Sequence, residues 1–133
     1  MNNFKKAHAK EIQSLLKISQ QNLTDAKHLL DSGGYRSAIS RVYYTFLDLA
    51  KAALLSKGII TQSHVGAISK FGEIFVKQGI IKGDYGRSFR RALEIRMEAD
   101  YEALREFTQE DVEEVIREAE KFCHEVKNKI FKK

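Results

Sequence analysis

Arg96 and Asp100 stand four residues apart on a stretch whose partners at helical spacing are Phe89, Ala92, Leu93, Ala99, Ala103 and Phe107. On one helix face, that spacing puts a guanidinium and a carboxylate in the middle of an apolar stripe. A purely structural helix would avoid the desolvation cost there by using leucines. The spacing predicts that both side chains are mostly buried and face another helix, either as an ion pair that fixes packing or as the lining of a groove. Arginine supplies a permanent charge and five fixed donors suited to phosphate, but it cannot exchange protons near neutral pH. His64 could: an imidazole titrates in that range, although a histidine beside a helix cap also serves simply to complete the cap.

A second polar constellation lies on the stretch from Tyr35 to Lys57, where Ser37, Arg41, Tyr44, Asp48 and Lys51 recur at steps of four, three, four and three. At about 100° per residue they share one narrow arc, and apolar residues occupy the rest of the circumference. Such a helix is buried on most sides and open along one seam. Arg41, Tyr44 and Asp48 are therefore the natural partners for Arg96 and Asp100. Tyr43, Tyr44 and Phe46 could stack on bases, yet aromatic residues at that spacing on a buried helix belong more often to the core.

Elements able to position these residues are readable from periodicity. A first helix runs from about Lys10 to Leu30, with Ile12, Leu15, Leu16, Leu23, Ala26 and Leu30 inward, and ends at Gly33-Gly34, which permits a tight antiparallel reversal. The second helix stops at Gly58. Thr61 or Ser63 caps a third through Lys77, with Val65, Ile68, Phe71 and Phe75 inward. A fourth runs from about Tyr85 to Phe107. Thr108 and the acidic residues Glu110 and Asp111 open a fifth, with Val112, Val115, Ile116, Ala119, Phe122, Cys123, Val126 and Ile130 inward.

Composition narrows the classes. The 133 residues suit one domain, and the absence of proline with 43% hydrophobic residues favours long helices over strands. The expected fold is all-α, an up-and-down bundle of four to five helices. One cysteine, Cys123, excludes an internal disulfide, and His8, His28 and His124 lack ligand-like spacing, so neither a metal centre nor another cofactor is expected. No run approaches the ~18 apolar residues of a membrane span, and the start, through Gln13, has no apolar leader core; a soluble cytoplasmic chain is the reading. Glycine-rich phosphate loops, nucleophile elbows and zinc helices are absent. The net charge of +5 permits a phosphate-bearing partner. It is uneven, with six basic and two acidic residues from Lys77 to Arg96 but two basic and ten acidic from Met97 to Glu120.

Four motifs stand in a definite order and spacing: Tyr35-Arg36-Ser37-Ala38 with Ser40-Arg41-Val42-Tyr43-Tyr44, then Ser63-His64-Val65-Gly66, the run from Phe71 to Gly79, and Arg96-Met97-Glu98-Ala99-Asp100-Tyr101. Together they resemble HEPN domains (higher eukaryotes and prokaryotes nucleotide-binding), in particular small stand-alone prokaryotic ones. The resemblance implies a helical bundle, a homodimer, binding of nucleotide or RNA, and a small nucleotidyltransferase as partner in a toxin–antitoxin pair. The ligand-binding candidates are Arg41, Tyr44, Asp48, Arg96, Asp100 and Tyr101. Active members of the family resemble metal-independent RNases that use an arginine, four to six residues and then a histidine, with two copies meeting across the dimer. Arg96 matches the arginine, but Tyr101, Glu102 and Ala103 stand where the histidine would, leaving His64 as the proton carrier of an RNase reading. A helical adaptor without a small ligand is the remaining alternative. The run from Ala26 to Ala38 is also similar to one tetratricopeptide hairpin, but such arrays need about three units and the pattern does not recur.

Overall fold

The computed structural model describes residues 6–131. The first five residues of the amino-terminal stretch, and Lys132 and Lys133, lie outside the described residues. Five α-helices follow one another: α1 (Ala9–Ser32), α2 (Tyr35–Leu55), α3 (His64–Phe71), α4 (Gly83–Tyr101) and α5 (Gln109–Val126). Wider π-helical turns extend α3 over Gly72–Val76 and α5 over Lys127–Phe131. No strand occurs among the described residues.

Directions follow from which residues touch. The two-residue reversal at Gly33-Gly34 turns α2 back along α1, and Arg36 and Tyr44 of α2 meet Ala99 and Arg96 of α4, so residue numbers rise on α2 as they fall on α4. The ion pairs Arg91–Glu114 between α4 and α5 and Lys27–Glu120 between α1 and α5 fit the same alternation. The bundle runs up and down.

Helix α2 is its axis. Fourteen of its 21 residues are buried, and it packs against α1, α3, α4 and α5. Its seam is open at Ser37, Arg41 and Lys51, half-open at Tyr44 and closed at Asp48. The core on its other faces is aromatic: Phe46 stacks on Phe89 at 6.0 Å and meets Phe122 at 4.8 Å, while Phe71 packs on Phe75, Phe89 and Phe122. At the reversal after α1, Gly33 takes φ 84°, a left-handed C-cap that glycine adopts without steric cost. The expected inward stripe of α5 is buried throughout. Its N-terminus closes as a reciprocal cap in which the Asp111 amide donates to Thr108 Oγ1 at 3.1 Å and the Thr108 amide donates to Asp111 Oδ2 at 2.9 Å.

Two boundaries differ from the periodicity reading, each for a local reason. Helix α4 ends at Tyr101 rather than Phe107, because the Arg36 guanidinium donates to the carbonyls of Ala99, Glu102 and Arg105 and so satisfies the end of α4 from across the bundle. Phe107 then reaches the core through a turn, flanked by the guanidinium carbons of Arg36 at 5.3 Å and Arg105 at 4.4 Å, and Ala103 is left exposed. In α3 the inward positions are Ala67, Ile68 and Phe71, with Phe75 in the following turn. Val65 is 61% exposed, because the position one turn before Ile68 belongs to His64 instead.

Candidate functional site

The α3 register turns His64 inward onto α2. Ser63 caps α3 by accepting from the Gly66 amide at 2.9 Å, so the histidine is not needed for the cap. Its ring lies 5.5 Å from that of Tyr43 and 6.0 Å from that of Tyr44. The same two tyrosines carry Arg96 of α4, whose guanidinium carbon is 5.3 Å from the Tyr43 ring and 5.4 Å from the Tyr44 ring. Arg96 Nη2 also donates to Tyr44 Oη at 3.3 Å and pairs with Asp100 Oδ2 at 3.1 Å. Three elements thus converge on an arginine held against two aromatic faces with an imidazole beside it.

Burial of Arg96 and Asp100 is partial. Their side chains keep 20% and 30% exposure, so the pair faces α2, as the spacing predicted, but lines the edge of a groove instead of lying inside the core. Asp100 also accepts from Ser40 Oγ at 3.5 Å. Arg41 and Asp48 turn the other way: both bond Asn22 of α1, at 3.4 Å and 3.2 Å, and neither pairs with Arg96. Tyr101 is 77% exposed on the outer side of α4 and bonds none of these groups. Of the six ligand-binding candidates, the cleft therefore brings Tyr44, Arg96 and Asp100 together, and His64 joins them.

Part of the basic block before Arg96 is spent within the fold. Arg87 pairs with Asp84 and Arg91 with Glu114. That weakens the case for the block as a continuous phosphate track and leaves the cleft as the more defined cationic feature. Among the described residues, no cluster of three His, Cys, Asp or Glu side chains is placed to hold a metal ion, and no helix is long and apolar enough to cross a membrane.

Protonation in the cleft follows from burial and its cations. Desolvation, then the charges of Arg96 and Lys51, lower the proton affinity of His64 below the usual imidazole value, so the ring is neutral at pH 7 and able to accept a proton. The Tyr43 phenol is pushed up to about 12, chiefly by burial and against the opposing pull of Arg96, so it stays a donor. Burial likewise raises Asp48, against Lys51 and the Asn22 hydrogen bond.

Two donors in this group lack partners among the described residues: the Tyr43 hydroxyl and Arg96 Nε, both buried. Sequence reasoning had assigned Tyr43 to the core, and its ring does lie there; the signal available was a tyrosine at a position where the rest of the core uses phenylalanine. A buried hydroxyl left unpaired costs about 1–3 kcal/mol. Tyr43→Phe should therefore raise stability by about 1 kcal/mol in denaturant melts; a loss of stability would show that the hydroxyl is bonded within the fold.

Comparison with known proteins agrees with this fold. A protein of Methanocaldococcus jannaschii is 40% identical over 117 residues, covering 88% of this chain and 87% of its own length. A UPF0332 protein of Thermotoga maritima is 36% identical over 112 residues, covering 84% and 85%. A second Methanocaldococcus jannaschii protein is 27% identical over 126 residues, covering 95% and 86%, and both proteins from that organism bear the name "Putative toxin". The HEPN domain family matches residues 12–129, and the chain belongs to that family.

Proposed function

We propose that this chain is the toxin-type member of a two-component pair and that it binds the phosphates of RNA in the cleft around Arg96. The observation that carries this reading is Arg96 itself. Held on two tyrosine faces, it is only partly neutralised by Asp100 and keeps 20% side-chain exposure, so its terminal nitrogens can meet a phosphate oxygen at the edge of the groove. The names of the two Methanocaldococcus relatives support the toxin role. A second copy of the chain completes the groove. Met97 and Tyr101, one turn apart on α4 beside Arg96 and Asp100, and Leu104 in the turn after it are 48%, 77% and 97% exposed, apolar surface that suits a two-fold contact. A small nucleotidyltransferase is the protein partner that family membership suggests. The test is anisotropy of a labelled single-stranded RNA with the full chain across a salt series. Binding should weaken steeply as salt rises; absence of binding at low salt, or affinity indifferent to salt, would overturn the reading.

A second reading has its own support. His64 shares the tyrosine platform with Arg96 and is neutral at pH 7, so the cleft holds one charge stabiliser and one base, the beginning of a metal-independent RNase.

A further inference from the structure

Next to His64, α2 and the residues leading into α3 enclose a small cavity. It measures about 190 Å³ and is lined by Leu47, Lys51, Thr61, Gln62, Ser63 and His64. Pockets for whole small molecules usually run to about 300–1,000 Å³, so this one is too small for a nucleotide but large enough for a phosphoryl group with the edge of its sugar. We propose that it is a second phosphate subsite, and that the ligand is a single RNA strand whose neighbouring phosphates rest on Arg96 and on Lys51, with His64 under the linkage between them. This rests on the RNA reading above and extends it from one phosphate to a strand.

Three observations support the assignment. Lys51 enters none of the ion pairs among the described residues, in contrast to Arg87, Arg91 and Arg96. Lys51 and His64 line the same cavity, and His64 packs on the two tyrosine rings that also carry Arg96, so the imidazole stands between the two cations. Finally, Lys51 lies seven residues beyond Tyr44, the residue that bonds Arg96 Nη2, which is about 10 Å along the helix axis. That separation is large for two phosphoryl groups joined by one bridging oxygen, as in a nucleoside diphosphate. Successive phosphates of an extended strand, each a nucleotide apart, suit it better. The polar side chains of Thr61, Gln62 and Ser63 add hydroxyl and amide donors where a base-stacking pocket would present rings.

The experiment uses the full chain and three probes: a labelled ten-nucleotide single-stranded RNA, and UMP and ADP as competitors. Lys51 is exposed, so Lys51→Gln leaves the fold intact. It should weaken the decamer several-fold, lower the slope of log affinity against log salt by about 0.7, and leave UMP competition unchanged. Arg96→Gln, or Arg96→Lys should the glutamine variant not fold, should weaken both the decamer and UMP. A Lys51→Gln protein with unaltered decamer affinity and slope, beside an impaired Arg96 variant, would overturn the second subsite and leave the Arg96 site standing. No effect from either variant would overturn both. Equal weakening of UMP and decamer by Lys51→Gln would reduce the two subsites to one, and ADP competing far better than UMP in a Lys51-dependent manner would replace the strand with a diphosphate; either result contradicts the proposal.

Discussion

Replacing Arg96 with leucine should cost RNA affinity about ten- to a hundredfold while changing stability by no more than about 1–2 kcal/mol. The two quantities separate because the arginine stands at the edge of the core. Breaking a fully buried ion pair from one side costs about 3–5 kcal/mol, since the remaining charge is stranded. Here Asp100 retains 30% exposure and a hydrogen bond from Ser40, so it is not stranded when its partner leaves. Leucine also removes the unpaired Nε–H, which offsets part of the lost contact with the tyrosine rings. A ligand phosphate, by contrast, loses a charge-assisted donor that nothing else in the cleft replaces. Chemical denaturation and RNA titration of the same preparation check both halves. A stability loss of about 3 kcal/mol or more would make Arg96 a structural residue first.

The second large effect concerns cleavage. Attack of a 2′-hydroxyl on the neighbouring phosphate needs a base for the hydroxyl proton and an acid for the leaving oxygen, each worth roughly 10²–10⁴ in rate. His64 can supply the base. The family's histidine position is filled by Tyr101, which points outward, and the Tyr43 phenol holds its proton too tightly to cycle it, so the second proton carrier is missing. RNA should therefore be bound well and cut slowly, with the residual cleavage resistant to chelator and removed by His64→Ala. Its pH profile has a definite sign. Because burial and the nearby cations lower the folded value of His64, the neutral base predominates at pH 7, and the rate should rise with pH on the acid side and level off towards neutrality. By the same linkage, the stability contributed by keeping His64 neutral is present above the unfolded value and is lost as pH falls through the folded one. Fast chelator-resistant cleavage abolished by both His64→Ala and Arg96→Ala would make the RNase reading the primary one. A rate still climbing above pH 7 would exclude His64 as the base.

Much of the architecture is legible in the sequence because it depends on local periodicity. The inward stripe of α5 and the reversal at Gly33-Gly34 follow from spacing and glycine placement and stand as expected, while the polar seam of α2 is open at Ser37, Arg41 and Lys51 but closed over Asp48 by α1. The end of α4 does not, since it is set by Arg36, more than sixty residues away in the chain, whose fork takes up the α4 carbonyls. The face of α3 was misjudged by one position for a related reason: Val65 is the more hydrophobic residue, but the ring of His64 finds Tyr43 and Tyr44 to pack against. The spacing of Arg96 and Asp100 correctly pointed to a face on α2. It could not tell Tyr44 from Arg41 and Asp48 as partner, because all three share the seam and only the packing of α1, through Asn22, draws the latter two aside.

Phosphate binding at Arg96 is tested most directly by nitrogen-edited NMR of arginine side chains during titration with a short single-stranded RNA. The Arg96 Nε–H resonance, assigned by its loss in Arg96→Lys, should shift progressively as RNA saturates the protein. An Arg96 Nε–H that stays unmoved at saturation, while resonances elsewhere on the bundle respond, would contradict the account.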